Sequence, residues 1–107
     1  LTHPVIAQVL AEEVAAADSR VVMVEMPLPI DLLGPGWRWV VVDAPDELRL
    51  ARLAGRGMTR EEARRRMEMQ PPRDEWLERA DLVVDNGGSL ADLEAECLDA
   101  WKVILQW

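Results

Sequence analysis

Residues 37–43 read WRWVVVD, and the three consecutive valines leave almost no polar alternation at the centre of the run. A segment of that kind marks a strand buried on both faces, which occurs in parallel sheets covered by helices on either side. Two more apolar runs qualify as strands: residues 20–26 (RVVMVEM), closed by Pro27 and Pro29, and residues 81–85 (DLVVD). Helical patterns fill the intervals. Residues 3–17 place Val5, Ile6, Val9, Leu10, Val14 and Ala17 at helical spacing, with Pro4 in the first turn, where its missing N–H costs nothing. Pro45 opens a helix to about Ala54, with Asp46 and Glu47 at its positive end, and Gly55 and Gly57 stop it. Thr59 followed by Glu62 is a capping box for a helix to about Gln70, ended by Pro71 and Pro72. A short helix follows at 73–79. Ser89 with Asp92 caps the last helix, striped by Leu93, Cys97, Trp101 and Ile104. Strands alternating with helices predict an α/β fold: a parallel sheet of three strands with about five helices. Ligands of such sheets bind beyond the carboxyl ends of the strands, which here are Met26-Pro27-Leu28, Asp43-Ala44-Pro45 and Asp85-Asn86-Gly87.

The chain has 107 residues, half of them apolar, enough for one domain with a core. A net charge of −8 argues against a nucleic-acid binder, whose affinity rests on a basic face. Cys97 is alone, which excludes an internal disulfide and a cysteine-rich zinc site and fits a reducing cytoplasm. No apolar run approaches the ~20 residues of a membrane span, and no basic-then-apolar leader opens the chain. The expectation is a cytoplasmic protein without membrane contact, and a chain beginning at Leu1 is read as truncated.

Against that acidic background, residues 51–79 concentrate Arg52, Arg56, Arg60, Arg64, Arg65, Arg66, Arg73 and Arg79, just before the third strand and its Asn86-Gly87-Gly88 turn. Guanidinium groups remain charged and grip phosphate oxygens bidentately, as the lid of a nucleotide kinase must. The complementary part, a G-x-x-x-x-G-K-[ST] phosphate loop, does not occur in the 107 residues: Lys102 is the sole lysine, and no glycine precedes a Lys-Ser or Lys-Thr pair.

The order of motifs resembles the dephospho-coenzyme A kinases, which phosphorylate the ribose 3′-hydroxyl of dephospho-CoA with ATP and magnesium. The resemblance rests on His3-Pro4-Val5-Ile6 opening a helix, Val24-Glu25-Met26-Pro27-Leu28 ending a strand, and Val40-Val41-Val42-Asp43-Ala44-Pro45 ending the next. It continues through Arg52 and Arg56 before Gly57-Met58-Thr59, Glu62-Ala63-Arg64, Gln70, and Ala80-Asp81 leading to Asp85-Asn86-Gly87-Gly88. It covers essentially the whole chain but only about the C-terminal half of the family. It implies a three-layer, P-loop-kinase-like parallel sheet, incomplete here, with residues 1–107 a partial kinase domain and a helical lid at about 55–79. Pro27-Leu28-Pro29 and Asp31 depart from the family's Pro-Leu-Leu and following Glu. The phosphate loop, the presumed general base and most magnesium ligands would lie before Leu1, which makes the chain inactive alone.

The resemblance implies catalytic phosphate contact for Arg56 and Arg52, nucleotide binding for Arg73, Asn86, Gly87 and Gly88, and substrate binding for His3, Pro27 and Leu28. Each has a plainer reading. Arg52 and Arg56 also suit a solvated helix end paired with Asp46, Glu47 or Glu61. Asn86-Gly87-Gly88 also suits a tight turn into the Ser89 cap, and Gln70 a helix cap. His3 also suits packing at a helix start, and no Cys or His accompanies it as a metal ligand. Arg64, Arg65 and Arg66 point about 100° apart on a helix, so at least one is ordinary surface. ATP and dephospho-CoA are the implied partners. A non-catalytic interaction module of kinase descent and another small-molecule P-loop kinase are the competing readings. In the family's sheet the phosphate-loop strand lies between the strands ending at Met26 and Asp43. Its loss predicts direct pairing of those two strands in a collapsed three-stranded sheet, or self-association through exposed edges.

Overall fold

The computed structural model describes residues 3–107, with side chains described from Val5 onward. The chain divides into two compact units, residues 1–38 and 39–107. The first unit contains α1 (His3–Ala16), and the chain after it is irregular. Gly34 and Gly36 there take φ of 78° and 93°, which a β-carbon would resist. The strand expected at 20–26 does not form among the described residues. A strand exists only as one half of a hydrogen-bonded pair, and the described sheet holds two others. The collapsed three-stranded sheet is therefore not the arrangement found.

The second unit runs β1 (Val40–Asp43), α2 (Asp46–Ala54), α3 (Arg60–Glu68), α4 (Arg73–Arg79), β2 (Leu82–Asp85) and α5 (Leu90–Ile104). It is an α/β unit with a parallel two-stranded sheet, in register from Val40 opposite Leu82 to Asp43 opposite Asp85. The segment expected to be a strand from residue 37 contributes its last four residues. Trp39 starts the pairing from outside: its carbonyl accepts from the Asp81 amide at 2.8 Å, and its amide donates to Asp81 Oδ2 at 2.7 Å.

β1 is not buried on both faces. Residues paired across a parallel sheet share a face, yet Val41 is buried beside an exposed Val83, and Val84 is buried beside a Val42 that is 62% exposed. The two strands are thus covered on opposite faces, with α4 packed on β1 and α5 on β2. Val41, Ala44, Leu50, Ala63, Val84 and Ala100 form the buried apolar set.

Local chemistry fixes the helix ends. Thr59 Oγ1 accepts from the Glu62 amide at 3.1 Å, while Ser89 and Asp92 complete both halves of a capping box. A β-carbon on Gly88 would come within 2.5 Å of Asp92 Oδ2, so glycine there makes room for the cap.

Candidate active site

β1 and β2 point their carboxyl ends the same way, and the chain leaves each through a short turn into a helix. At that end the second unit carries a cleft of about 250 Å³. Its floor is Val42, Asp43 and Ala44 from the end of β1, with Asn86 from the end of β2. The two are tied by the Asn86 amide, which donates to the Asp43 carbonyl at 2.7 Å. One wall is α2 and the turn after it, with Arg49, Arg52, Leu53 and Arg56; the other is the end of α3, with Arg66, Met67 and Gln70. α2 and α3 pack against each other, which brings these walls together.

Four arginines around one cleft make it strongly cationic, and their hydrogen bonds distinguish them. Arg49 reaches Asp46 Oδ1 at 3.4 Å and donates to Gln70 Oε1 at 3.3 Å. Arg52 donates to the Gly88 carbonyl at 3.3 Å, which ties α2 to the turn after β2. Glu47 is engaged by Arg60 at 3.1 Å. Arg56 and Arg66 line the cleft with no acidic partner among the described residues. Anion binding needs such uncompensated donors.

A bidentate ion pair stands at the edge of the cleft. Arg73 donates from Nε to Asp43 Oδ1 and from Nη2 to Asp43 Oδ2, each at 2.7 Å. This fork-on-fork geometry is the strong form of the ion pair, and Asp43 is mostly covered within it. The Arg73 hydrogen bonds hold the Asp43 carboxyl below its usual range, and Arg49 adds to the effect against the opposing cost of burial.

Of the residues singled out in the sequence, Arg52, Arg56 and Asn86 come together at the cleft, and Gly88 joins them through its carbonyl. Gly87 donates its amide to Asp85 Oδ1 at 2.8 Å in the same turn. Arg73 does not line the cleft; it is taken by Asp43. Pro27 and Leu28 are exposed in the irregular part of the first unit, whereas the cleft is built wholly from the second. The side chain of His3 lies outside the described residues. Sequence reasoning passed over Arg49, placed Asp43 at a ligand-side strand end without giving it a role, and left Arg66 undistinguished from Arg64 and Arg65. The position of Asp43 at a strand end was the signal available for it.

No group of three or more His, Cys, Asp or Glu among the described residues could hold a metal ion. Both oxygens of Asp43, the cleft's sole carboxylate, belong to Arg73. These residues do not fit a resident magnesium site. No helix among the described residues is long and apolar enough to cross a membrane.

The family model described as Dephospho-CoA kinase matches residues 1–92. A dephospho-CoA kinase of Frankia casuarinae is 39% identical over 108 aligned positions, covering 98% of this chain and 47% of the relative. One from Corynebacterium glutamicum is 42% identical over 89% of this chain and 52% of the relative, and one from Thermus thermophilus 37% over 88% and 48%. The chain spans about half the length of these curated relatives and aligns with their C-terminal half. No solved structure matches it.

Proposed function

The chain belongs to the dephospho-CoA kinase family, and from that premise we propose that it serves the ATP-dependent phosphorylation of the ribose 3′-hydroxyl of dephospho-CoA, the closing step of coenzyme A synthesis. The observation that carries the proposal is the cleft at the strand ends, where Arg56 and Arg66 present uncompensated positive charge toward a common space. A transferring phosphoryl group develops charge on its oxygens, and catalysis consists largely of holding and neutralising that charge. Arg56 and Arg66 supply the neutralising donors. Arg52 joins them at the price of its bond to Gly88.

Asn86, Gly87 and Gly88, the turn at the end of β2, form the nucleotide side. Residues 55–79 act as the lid, and His3, Pro27 and Leu28 as part of the dephospho-CoA side. ATP and dephospho-CoA are the partners. No residue here takes the role of phosphate loop, general base or principal magnesium ligand, so the 107-residue chain by itself transfers no phosphate.

The test is ADP release that depends on dephospho-CoA, measured in the kinase that carries these 107 residues and in the chain alone. Activity with a nucleoside monophosphate in place of dephospho-CoA would overturn the substrate assignment. Turnover by the isolated chain would overturn the division of labour.

A further inference from the structure

The polypeptide leaves β1 at Asp43, travels out through α2 and α3, and returns at Arg73, the first residue of α4. The bidentate pair joins the departing and returning ends of this excursion across 30 residues. A second rung lies beside it, Arg49 on α2 donating to Gln70 after α3. Further along, α4 is fastened to the start of β1. Trp76 packs on Trp39 at a centroid distance of 6.3 Å, and the Arg79 guanidinium stands 5.3 Å from the Trp39 ring centre. Arg73, Trp76 and Arg79 recur every three residues, so successive turns of α4 each contribute one fastening.

This arrangement fixes which arginines an anion can recruit. Drawing Arg73 into the cleft would break two charge-assisted hydrogen bonds and strand a largely covered carboxylate, whereas Arg56 and Arg66 need give up nothing. α2, which ends just before Arg56, and α3, which carries Arg66, pack on each other, and the Asp43–Arg73 pair closes the excursion that holds them at its base.

We propose that Asp43 is a positioning residue: by gripping Arg73 through both carboxylate oxygens, it pins the base of the 55–72 arm to the end of β1 and so sets where Arg56 and Arg66 meet a polyphosphate. The inference rests on the proposed reading of the cleft as a polyphosphate site. It removes Arg73 from the set of phosphate ligands and makes it the anchor of that set.

The experiment compares the chain with Asp43→Asn, Arg73→Gln and the charge exchange Asp43→Arg/Arg73→Asp, reading amide exchange across residues 60–79 and affinity for inorganic tripolyphosphate. Each single substitution should speed exchange in α3 and α4 but not in α5. Each should also weaken tripolyphosphate binding by about fivefold or more, the lower end of a coupling between sites. The exchanged pair should recover both. Arg56→Ala, which leaves the pair intact, should lose affinity with no change in exchange. Unchanged exchange in Asp43→Asn, or altered exchange with undiminished affinity, would overturn the positioning role while leaving the proposed function in place. Failure of the unsubstituted chain to bind tripolyphosphate would overturn the reading of the cleft as a polyphosphate site and, with it, the positioning role.

Discussion

Val83 and Val84 are chemically identical neighbours on β2, and truncating each to alanine separates the covered face of the strand from the open one. Val84 retains 4% of its accessible surface and Val83 retains 44%. Removing two methyl groups from the buried site forfeits about 1.6 kcal/mol of transfer free energy at ~0.8 kcal/mol per carbon. A cavity whose walls relax only partly adds about 1 kcal/mol. Val84→Ala should therefore cost roughly 2.5 kcal/mol, and Val83→Ala, which loses about half the transfer contribution and leaves no cavity, under about 1 kcal/mol. Any loss of intrinsic strand preference is common to both and drops out of the comparison. Urea unfolding followed by tryptophan fluorescence suits the measurement, because Trp39 abuts the start of β1 and packs on Trp76. With a slope near ~1 kcal/mol per molar for a unit of this size, the midpoint should fall by about 2.5 M for Val84→Ala and by less than ~1 M for Val83→Ala. Equal shifts, or a larger one for Val83, would refute the assignment of opposite covered faces to the two strands.

Acid titration tests the Asp43–Arg73 pair by a different route. A carboxyl whose folded pKa is lowered contributes stability that is fully present above its unfolded value near 3.8 and is lost as pH falls through the lower folded value. Unfolding free energy should thus decline below about pH 4, and less steeply in Asp43→Asn; the residual slope belongs partly to Asp92, which the Ser89 amide and hydroxyl also hold low. Parallel acid limbs would contradict this. On the proposed function, in a full-length kinase carrying this segment, Arg56→Ala should lower kcat/KM by ~10² or more, the scale of losing one charge-stabilising donor, and Arg65→Ala by far less. Steady-state rates with both substrates decide it, and equal losses would show that the wrong arginines were chosen. Among the described residues neither strand pairs with another on its outer edge, and Val42 is 62% exposed, so sedimentation should show concentration-dependent association. A monomer up to high concentration would count against that.

Local signals in the sequence carried far. The boundaries of α2 to α5 follow from Pro45, Thr59, Pro72 and Ser89, whose effects act within one helical turn. Parallel pairing followed from helices lying between apolar runs. What sequence could not supply was anything dependent on a neighbour. The run at 20–26 has every intrinsic property of a strand and no described partner, and WVVVD has a composition suited to two covered faces where one is found. The arginines illustrate the same division. That eight of them crowd residues 51–79 is visible in the letters. That Arg73 faces a carboxylate 30 positions away, that Arg52 bonds a carbonyl 36 positions away, and that Arg66 rather than Arg64 or Arg65 reaches the cleft are consequences of tertiary approach. Gly88 is the converse case, its smallness explained by the Asp92 side chain four residues on.

The register that sets Val40 opposite Leu82 also constrains the order in which this unit can assemble. Neither strand has another partner in the described sheet, so no strand hydrogen bond exists until the chain has closed a loop of about forty residues, whose entropy must be met before any pairing rewards it. The contacts of α2 with α3, and the caps at Thr59 and Ser89, require no such closure and can form while the ends remain apart. The arginine-bearing arm can thus take shape ahead of the sheet that will carry it. Substitutions in the Thr59 cap should then slow refolding, whereas Val84→Ala should act chiefly by hastening unfolding.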